Sequence, residues 1–494
     1  MRLGDLAVEV RNGISAKPDG DVGTPILRIS AVRPMALNAT DTRHLEGPSS
    51  SWEVYFLRRD DLLFTRYNGN PSLVGVCARV TLNDASPLVY PDKLIRVRLD
   101  EQGAIPAFVE KAVHVGASRA FIDGKTKTSA GQVGISGRDL KEVPVLLPPL
   151  NEQRRIVTKL EALQSRSRAA REALDAVPPL LEKLRQSILA AAFRGDLTKD
   201  WREKHPDVEP ASELVDRTPQ PEGKASGRAA ATSARPGLAA ISVGHPQTAA
   251  PPRWSWTPLS RVARMESGHT PSRNHPEYWG GGIPWVGIRD AREHHGQVIL
   301  STGQTVSDLG LANSSARLLP AKTVCLSRTA SVGYVTIMGK PMSTSQDFAD
   351  WVCTSALVPE YLMFALLAEG EHIRTFGEGT THTTIYYPEL KALHICLAPL
   401  DEQLEVVRRV QGLLEVVERL KRNASEQSDR LDTLNKSSLA KAFRGELVPQ
   451  DPNDEPAAVM LERIKAEQQA SGDNGAALKK KGRRGRGRSQ VDQR

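Results

Sequence analysis

The chain has 494 residues, of which 39% are hydrophobic and 25% charged, so it is long enough for more than one globular domain with an ordinary core. It contains no apolar run of the ~18 residues that a membrane span needs, and its first residues lack the apolar stretch of a signal peptide. These features disfavour membrane and secreted proteins. No two cysteines form a CxxC pair, which predicts reduced thiols rather than a zinc site at Cys77, Cys325, Cys353 and Cys396. We therefore expect a cytoplasmic protein that contacts no membrane and holds no metal.

Most of the formal net charge of +8 lies in one segment at the C-terminus. Residues 479–494 contain eight Lys or Arg and one Asp, a net charge of +7, which leaves 8 − 7 = +1 for the rest of the chain. We expect this Gly-spaced basic tail to be disordered, and either to add affinity for phosphates or to be merely solvated. Net charge alone therefore does not identify a nucleic-acid-binding protein.

Taken in chain order, the sequence divides into six segments of different composition. Two of them mix short apolar runs with helical stretches and are typical of small α+β domains. Each is followed by a segment with apolar residues at helical spacing, and a stretch rich in Ala, Pro, Gly and Ser joins the two halves. The predicted segments are a first variable domain at 1–148, a helical segment at 149–200, a low-complexity linker at 201–253, a second variable domain at 254–398, a helical segment at 399–450 and a tail at 451–494 that is disordered from 470.

The two helical segments are copies of each other in a fixed register. Residues 135–153 (ISGRDLKEVPVLLPPLNEQ) and 385–403 (IYYPELKALHICLAPLDEQ) are identical at eight of nineteen positions, at an offset of 250. Residues 189–197 (LAAAFRGDL) and 439–447 (LAKAFRGEL) are identical at seven of nine positions, at the same offset. Because no insertion breaks this register, the sequence predicts two copies of one large unit, a pseudo-two-fold repeat.

Each copy contains a predicted helix that begins at a proline, Pro149 or Pro399, since proline fits a turn or a first helical position. Pro178-Pro179 should kink or divide the first helix, whereas residues 400–447 contain no proline. One interpretation is that both are ordinary amphipathic core helices. The constant register favours a second interpretation, in which helix length itself matters, as in a rigid spacer.

Together these features resemble the specificity subunit of type I restriction-modification enzymes. The resemblance is carried by LPPLNEQRRIV and LAPLDEQLEVV at the two helix starts, by AFRGDL and AFRGEL at the two helix ends, and by an arginine followed by a Val-Gly step in each variable domain. It covers nearly the whole chain except the linker and the basic tail. These two segments depart from the family pattern, which leaves the domain edges and the role of the tail open.

The resemblance implies that each variable domain is a target-recognition domain that reads one half of a bipartite, asymmetric site in double-stranded DNA. It also implies an α+β fold in which long antiparallel paired helices, a coiled-coil spacer, separate the two domains and dock two methyltransferase subunits. S-adenosylmethionine would bind to those methyltransferase subunits, and ATP with Mg²⁺ to restriction or motor subunits. No cofactor is expected in this chain.

Base readout needs forked or amide donors and acceptors on exposed loops. Arg66 and Arg328 stand at matched places after an apolar run, where the alternative role is a salt bridge to a local acid. The candidate DNA-binding residues are Arg66, Tyr67, Asn68, Lys125, Lys127 and Gln132 in the first domain, and Arg289, Arg328, Thr329, Thr381, His382 and Thr383 in the second.

The residues that recur at both helix starts and both helix ends are candidates for the spacer or for partner binding. They are Glu152, Gln153, Phe193, Arg194, Gly195, Glu402, Gln403, Phe443, Arg444 and Gly445.

The sequence lacks the motifs of an enzyme that acts on DNA. Gly124-Lys125-Thr126 resembles the end of a P-loop, but Arg119 stands where that motif needs a glycine. Residues 70–73 (NPSL) lack the second proline and the aromatic residue of an amino-methyltransferase motif, and no histidines form HExxH. We therefore predict a non-catalytic chain without catalytic residues.

Two functions outside the family remain open at this stage. A stand-alone, sequence-specific DNA-binding regulator would be consistent with the basic tail, and a helical scaffold that does not contact DNA would be consistent with the repeated helices. Affinity that falls steeply with salt would separate both DNA-binding functions from the scaffold.

The spacer interpretation makes a prediction about helix length. Helices of 25–35 residues are roughly 37–52 Å long, while one turn of B-DNA separates half-sites by roughly 34–36 Å. Insertion of one helical turn after Leu163 and after Leu413 together should lengthen the gap between the two half-sites and leave both half-site sequences unchanged. Methylated motifs mapped by single-molecule sequencing would measure this; an unchanged gap in a fully active variant would contradict it.

Overall fold

The computed structural model describes residues 1–18, 22–82, 87–129, 132–221, 249–329, 331–370 and 384–460, together with 233, 242–243, 372–373, 462–463 and 466. The chain divides into two compact units. The first unit contains residues 1–173 and 426–494, and the second contains 174–425. Each unit therefore combines one variable domain with parts of both helical segments, and its boundaries differ from those of the six predicted segments.

The first unit is built around a four-stranded antiparallel sheet with the order Ala7–Asn12, Leu94–Leu99, Leu62–Thr65, Cys77–Arg79. The two central strands are almost entirely buried, because their sequences, LLFT and LIRVRL, are largely apolar. The smaller sheets of this unit pair Thr24–Leu27 with Thr42–Leu45, Val32–Arg33 with Ala36–Leu37, and Gln132–Gly134 with both Lys127–Ser129 and Tyr67–Asn68. Its α-helices that lie wholly within the unit are Leu3–Leu6, Pro106–Ala112, Gly116–Lys125 and Gly137–Lys141, and its 3-10 helices are Ile29–Ala31, Ser49–Tyr55 and Pro71–Leu73.

The second unit contains a five-stranded sheet with the order Ala263–Ser267, Phe348–Cys353, Val324–Ser327, Val335–Met338, Val298–Ile299. Two three-stranded sheets accompany it, with the orders Gln304–Val306, Trp279–Val286, Ser343–Thr344 and Ser242–Val243, His394–Leu397, Ser255–Pro258. Its α-helices are Val177–Phe193, Lys199–Lys204, Ala211–Arg217, Leu259–Val262, Ile288–Glu293, Asp308–Ala312, Pro359–Glu369 and Tyr387–Lys391, and Pro276–Tyr278 is a 3-10 helix. The predicted α+β class is confirmed.

The long helices begin beside the prolines that predict their starts, and each helical segment ends shortly before a glycine. The first copy is divided into Leu150–Asp175 and Val177–Phe193, because its two prolines occupy the first turn of the second piece. The second copy is one helix of 43 residues, Leu400–Ala442. Gly195 and Gly445 follow the helix ends with φ angles of +77° and +76°, a left-handed conformation that favours glycine.

In the first unit, the Leu150–Asp175 helix packs antiparallel to the C-terminal part of the Leu400–Ala442 helix. Ile156 and Leu160 share a buried core with Ala442. Further along, Asn435 donates a hydrogen bond of 2.8 Å to Ser167. The order of these contacts is antiparallel, because residue numbers rise along one helix as they fall along the other.

In the second unit, the Val177–Phe193 helix packs antiparallel to the N-terminal part of the same long helix. Leu189 and Ala192 share a core with Val406 and Val410. Beyond the end of the shorter helix, the backbone carbonyl of Leu197 accepts a hydrogen bond of 2.8 Å from Arg409. Antiparallel helix pairing, which the family resemblance implies, is therefore present inside each unit.

The segment predicted as a linker from residue 201 is partly folded. Residues 199–204 and 211–217 form short helices, and Ala211 and Leu214 are buried in the core of the second unit. The prediction placed the boundary too early, because composition alone does not reveal that these few apolar residues find a core. The part of the tail predicted to be disordered from 470 lies outside the described residues.

A buried glutamine fixes each variable domain to its helix start. The Gln153 side chain accepts a hydrogen bond from the Ile105 backbone N–H at 2.9 Å and donates one to the Pro148 carbonyl at 3.0 Å. Both Gln153 and its counterpart Gln403 have no exposed surface. Ile105 precedes the Pro106–Ala112 helix, whose first turn leaves backbone donors without helical partners.

Gln403 repeats the same arrangement in the second unit. It accepts a hydrogen bond from the Val358 N–H at 2.9 Å and donates to the carbonyls of Ala356 and Ala398, both at 2.9 Å. Val358 immediately precedes the buried Pro359–Glu369 helix. The glutamine of the repeated Glu-Gln pair therefore joins the start of the long helix to the variable domain.

We predict that Gln403→Met, which keeps the length of the side chain but removes its polar atoms, lowers the free energy of unfolding by about 2–4 kcal/mol, because one buried N–H and two carbonyls lose their partner. Hydrogen exchange of the Pro359–Glu369 helix would measure the local effect. The matched control is Gln411→Met, an exposed position on the same helix. Equal protection of the Pro359–Glu369 helix in both variants would contradict the prediction.

Candidate nucleic-acid interface

In the first unit, the predicted DNA-binding residues meet at the end of the central Leu62–Thr65 strand. Arg66 follows this strand, and its carbonyl accepts a hydrogen bond of 2.9 Å from the Ile135 N–H. Tyr67 and Asn68 pair with Gln132–Gly134, which pairs in turn with Lys127–Ser129. Two candidate groups that lie about sixty residues apart in the sequence therefore form one small three-stranded sheet.

The ring of Tyr67 lies against the backbone of this small sheet. A Cβ atom at Gly134 would lie 2.2 Å from the Tyr67 ring, so only glycine fits at that position. The Arg66 guanidinium lies 4.7 Å from the centre of the same ring and donates a hydrogen bond of 3.3 Å to the Asp92 carbonyl. These contacts hold Tyr67 and Arg66 half-buried at the base of the sheet.

Asn68 and Lys125 are placed differently around the sheet. The Asn68 side chain accepts a hydrogen bond of 2.9 Å from the Asn70 N–H, which shapes the turn that follows. Lys125 is exposed at the end of the Gly116–Lys125 helix, and its ammonium lies 5.4 Å from the centre of the Phe121 ring. Lys125 is therefore free to reach a phosphate, while Asn68 is partly engaged by its own loop.

The second unit repeats this arrangement around Arg328. Its carbonyl accepts a hydrogen bond of 2.9 Å from the Ile385 N–H, and Thr329 forms a β-bridge with Thr384. Ile385 is the counterpart of Ile135 at the offset of 250. The loop that ends at Ile385 therefore lies beside the end of the Val324–Ser327 strand, although Thr381, His382 and Thr383 themselves lie outside the described residues.

Arg328 is buried, with 7% of its surface exposed. Its guanidinium donates hydrogen bonds to the carbonyls of Ile385 at 3.4 Å and Gln346 at 3.1 Å, and lies 4.3 Å from the centre of the Tyr387 ring. This environment favours a positioning role, in which Arg328 holds neighbouring loops together, over direct contact with a base. Its partners are backbone carbonyls and a ring rather than the acidic side chain considered from the sequence.

Arg289 is exposed near the same end of the second unit. It lies on the Ile288–Glu293 helix and pairs with Glu293 at 3.1 Å, with 90% of its side chain accessible. Asp290 caps this helix by accepting a hydrogen bond of 2.9 Å from the Gly287 N–H. The strand before the helix is bound to the loop after Thr344, since the Ser345 N–H donates to the Val286 carbonyl at 3.1 Å.

One cationic and aromatic cluster was missed from the sequence. The Arg273 guanidinium lies 3.7 Å from the centre of the Trp279 ring and 5.4 Å from that of Trp285. His275 stacks on Tyr278 at 4.7 Å in the same loop. The signal in the sequence is the density of aromatic and basic residues in 269–285 (HTPSRNHPEYWGGGIPW). Arg273 and His275 are exposed, so this cluster joins the candidate interface.

The described residues contain no group of three or more His, Cys, Asp or Glu side chains that could hold a metal ion. Burial raises the pKa of the Cys353 and Cys396 thiols to about 12 and raises those of Cys77 and Cys325 well above their usual value. The thiols are therefore protonated near neutral pH and are poor nucleophiles. None of the helices in the described ranges combines the length and apolar character of a membrane span.

The candidate spacer and partner-binding residues fall into an interior and a surface group. Glu152, Gln153, Glu402 and Gln403 are buried within their own units. Arg194 and Arg444 are exposed and pair with Asp196 and Glu446 at 2.9 and 2.8 Å. Phe193 and Phe443 are half-buried, each before the glycine that ends its helix. The exposed arginines of the surface group are directly available to a partner.

A family model described as type I restriction modification DNA specificity domain matches residues 251–426. The chain is 42% identical to the EcoKI specificity subunit of Escherichia coli strain K12 over 42% of this chain and 45% of that protein. It is 26% identical to the EcoDI specificity subunit of Escherichia coli over 69% of this chain and 72% of that protein. The alignments to the EcoKI subunit and to the StySPI subunit of Salmonella potsdam span only 45% and 44% of those proteins, less than half of their length.

Solved structures resemble the fold along most of the chain. The HsdS subunit from Thermoanaerobacter tengcongensis aligns with a TM-score of 0.55 and 21% identity, over 90% of this chain and 96% of that chain. A chain from a structure of a type I R-M system aligns with a TM-score of 0.63 and 21% identity, over 90% and 97%. The matched domain and the curated relatives agree that the chain is similar to type I restriction-modification specificity subunits, and the solved structures share its fold.

Proposed function

We propose that this chain is the non-catalytic DNA specificity subunit of a type I restriction-modification complex, in which each variable domain reads one half of a bipartite DNA site. One observation carries the proposal. The Ile135 N–H binds the Arg66 carbonyl in one unit, and the Ile385 N–H binds the Arg328 carbonyl in the other, both at 2.9 Å. The same frame therefore presents two different loops, as expected for two readers of unlike sequences.

The difference between the two loops supports two distinct half-sites. From Arg66 to Ile135 the chain advances 69 residues, but from Arg328 to Ile385 only 57, although both pairs close with the same hydrogen bond. The first loop carries Lys and Gln, and the second carries Thr and His. Side chains of different hydrogen-bonding capacity at equivalent places give different base preferences.

The exposed basic residues would supply the sequence-independent part of binding. Lys125, Arg273 and Arg289 are exposed and lie on or beside the candidate interface of their own unit. Phosphate contacts position a protein on the duplex, whereas contacts with base edges specify the sequence. In this proposal Arg66 and Arg328 are positioning residues, and the loops they hold contact the DNA.

The remaining parts of the proposal concern partners. Two methyltransferase subunits that bind S-adenosylmethionine would dock on the helical segments and methylate the site chosen by this chain. Restriction or motor subunits would hydrolyse ATP with Mg²⁺. The complex would act in the cytoplasm, where unpaired cysteines such as those of this chain stay reduced.

The main test is a comparison of DNA methylation with and without the gene. Deletion should remove methylation at one gapped, bipartite motif and leave other methylated motifs intact, because this chain selects the site but does not transfer the methyl group. Single-molecule methylome sequencing measures this, and re-expression from a plasmid is the control. An unchanged methylome under expression of the partner subunits would contradict the proposal and favour a stand-alone regulator or a scaffold.

The second prediction concerns Arg289. If it contacts a phosphate, Arg289→Ala should weaken DNA binding of the assembled complex several-fold at every sequence. It should also make the slope of log K against the logarithm of salt concentration shallower by about one. Fluorescence anisotropy with cognate and scrambled duplexes at several salt concentrations measures both effects.

The matched control for Arg289 is Lys340→Ala. Lys340 is exposed and follows the Val335–Met338 strand. That strand runs antiparallel to Val324–Ser327. Lys340 and Arg328, which follow the two strands, therefore lie at opposite ends of this strand pair. Equal effects of the two substitutions would contradict a phosphate contact at Arg289, while a loss confined to the cognate duplex would assign Arg289 to base readout.

A further inference from the structure

The two units treat one repeated glutamate differently. Glu152 and Glu402 occupy equivalent places at the helix starts, at the offset of 250, and are 6% and 0% exposed. A buried carboxylate is stable only when it is hydrogen-bonded or paired, because burial removes its hydration. The surroundings of Glu402 meet this requirement with direct hydrogen bonds, whereas Glu152 has no hydrogen-bond donor among the described residues and is stabilised by the charge of Arg155.

In the second unit, Glu402 is fully engaged. The Trp254 indole N–H donates to one carboxylate oxygen at 2.9 Å, and the Thr198 hydroxyl donates to the other at 2.7 Å. The Arg202 guanidinium also binds this second oxygen. The Trp254 ring lies 6.3 Å from the centre of the Tyr361 ring in an edge-to-face arrangement. The indole therefore fills an apolar site with its ring and also donates a hydrogen bond to the buried carboxylate.

In the first unit, the equivalent place is a pocket. It has a volume of about 360 Å³ and is lined by Phe108, Glu152, Ile156 and Phe443, among others. Phe443 packs against Phe108 with ring centres 5.2 Å apart, as Phe193 packs against Tyr361 at 5.0 Å in the second unit. Among the described residues, no donor forms a hydrogen bond with the Glu152 carboxylate, and its burial raises the pKa of this group.

The edge of the pocket is also uncovered in the first unit. In the second unit, Trp256 pairs with Cys396 in the strand that carries Trp254, and Cys396 is 3% exposed. Leu146, the counterpart of Cys396 at the offset of 250, is 71% exposed. An extended segment beside Leu146 would cover this leucine as Ser255–Pro258 covers its counterpart.

We propose that the pocket formed by Phe108, Glu152 and Phe443 binds a tryptophan side chain from an extended segment of a partner protein. The indole N–H would donate to the Glu152 carboxylate, and its ring would pack against Phe108, as Trp254 does with Glu402 and Tyr361. A basic residue beside the tryptophan would take the place of Arg202. Tryptophan is the side chain that combines a large apolar ring with one N–H donor, which is what this pocket lacks.

The occupant is assigned to a partner because the tryptophans of this chain are placed elsewhere. The sequence has seven, and none of them lines the pocket. The residues from 467 to the C-terminus contain no aromatic side chain, so their basic groups could supply the cation but not the ring. The site does not depend on the reading of DNA, and its tests therefore stand or fall separately from the proposed function.

The first test uses a synthetic peptide with the sequence of residues 250–255 (APPRWS), in which the tryptophan is 5-fluorotryptophan. ¹⁹F NMR with the full-length chain should show saturable binding, since the tryptophans of the protein itself are silent. Glu152→Leu should weaken binding about tenfold or more, because a charge-assisted hydrogen bond is lost. Glu161→Gln, an exposed change on the same helix, should leave the affinity unchanged. Absence of a shift at millimolar peptide would overturn the proposal.

The second test places the tryptophan in the same chain. Met1 is hydrogen-bonded to Val145, and Thr257 is paired in the same way with Ile395, the counterpart of Val145. Met1 therefore occupies the place of Thr257. The sequence PPRWSW fused before Met1 should bring its first tryptophan to the pocket. This fusion should raise the melting temperature by a few degrees and compete with the fluorinated peptide. The fusion PPRASW should do neither, and Glu152→Leu should remove the gain. Equal melting temperatures for the two fusions would overturn the proposal.

A second copy of this chain is the alternative occupant. In that case the protein would form dimers by analytical ultracentrifugation, and Trp201→Ala, which removes a half-buried tryptophan outside the domain cores, would dissolve them. Such dimers would assign the pocket to self-association and overturn the partner proposal. A monomeric chain that binds the peptide supports it.

Discussion

Everything that the two variable domains present to solvent depends on how they are fixed to the helices, and a buried amide does this in both units. The oxygen of a glutamine amide accepts hydrogen bonds and its nitrogen donates two, so the side chain can cap the backbone N–H before a helix and also bind neighbouring backbone carbonyls. Gln153 and Gln403 use this capacity in the same way. Because an unpaired buried amide is costly, the domain has one stable position on its helix.

This fixed position separates the geometry of the frame from the variation of the loops. Loops that contact a ligand need freedom to vary, whereas the frame needs constant geometry. The Ile135–Arg66 and Ile385–Arg328 hydrogen bonds close loops of different length onto the same strand ends. Arg328 is buried on backbone carbonyls, so its contacts are independent of which side chains the neighbouring loops carry. Variation in those loops can therefore change specificity without loosening the frame.

The sequence predicted the frame better than it predicted the interface. Repeat register, prolines and glycines are local signals, so the helix division at Pro178-Pro179 and the uninterrupted Leu400–Ala442 helix were predictable. The burial of Arg328 was not, because it depends on Gln346 and Tyr387, which lie far from it in sequence. The short helices at 199–217 were missed for the same reason, since a few apolar residues in a polar stretch become informative only when their core is known. Which side chains touch DNA stays a prediction.

The division into units has a consequence for biosynthesis. The second unit is continuous in sequence, from 174 to 425, whereas the first consists of 1–173 and 426–494. During translation the second unit can complete its core as soon as its own residues leave the ribosome. The first unit emerges earlier but lacks Ala442 and Phe443, which close its core, until the chain is nearly finished. The part made first therefore folds to completion last, and a nascent chain stopped at residue 425 would expose the apolar face of Ile156 and Leu160 to chaperones and proteases.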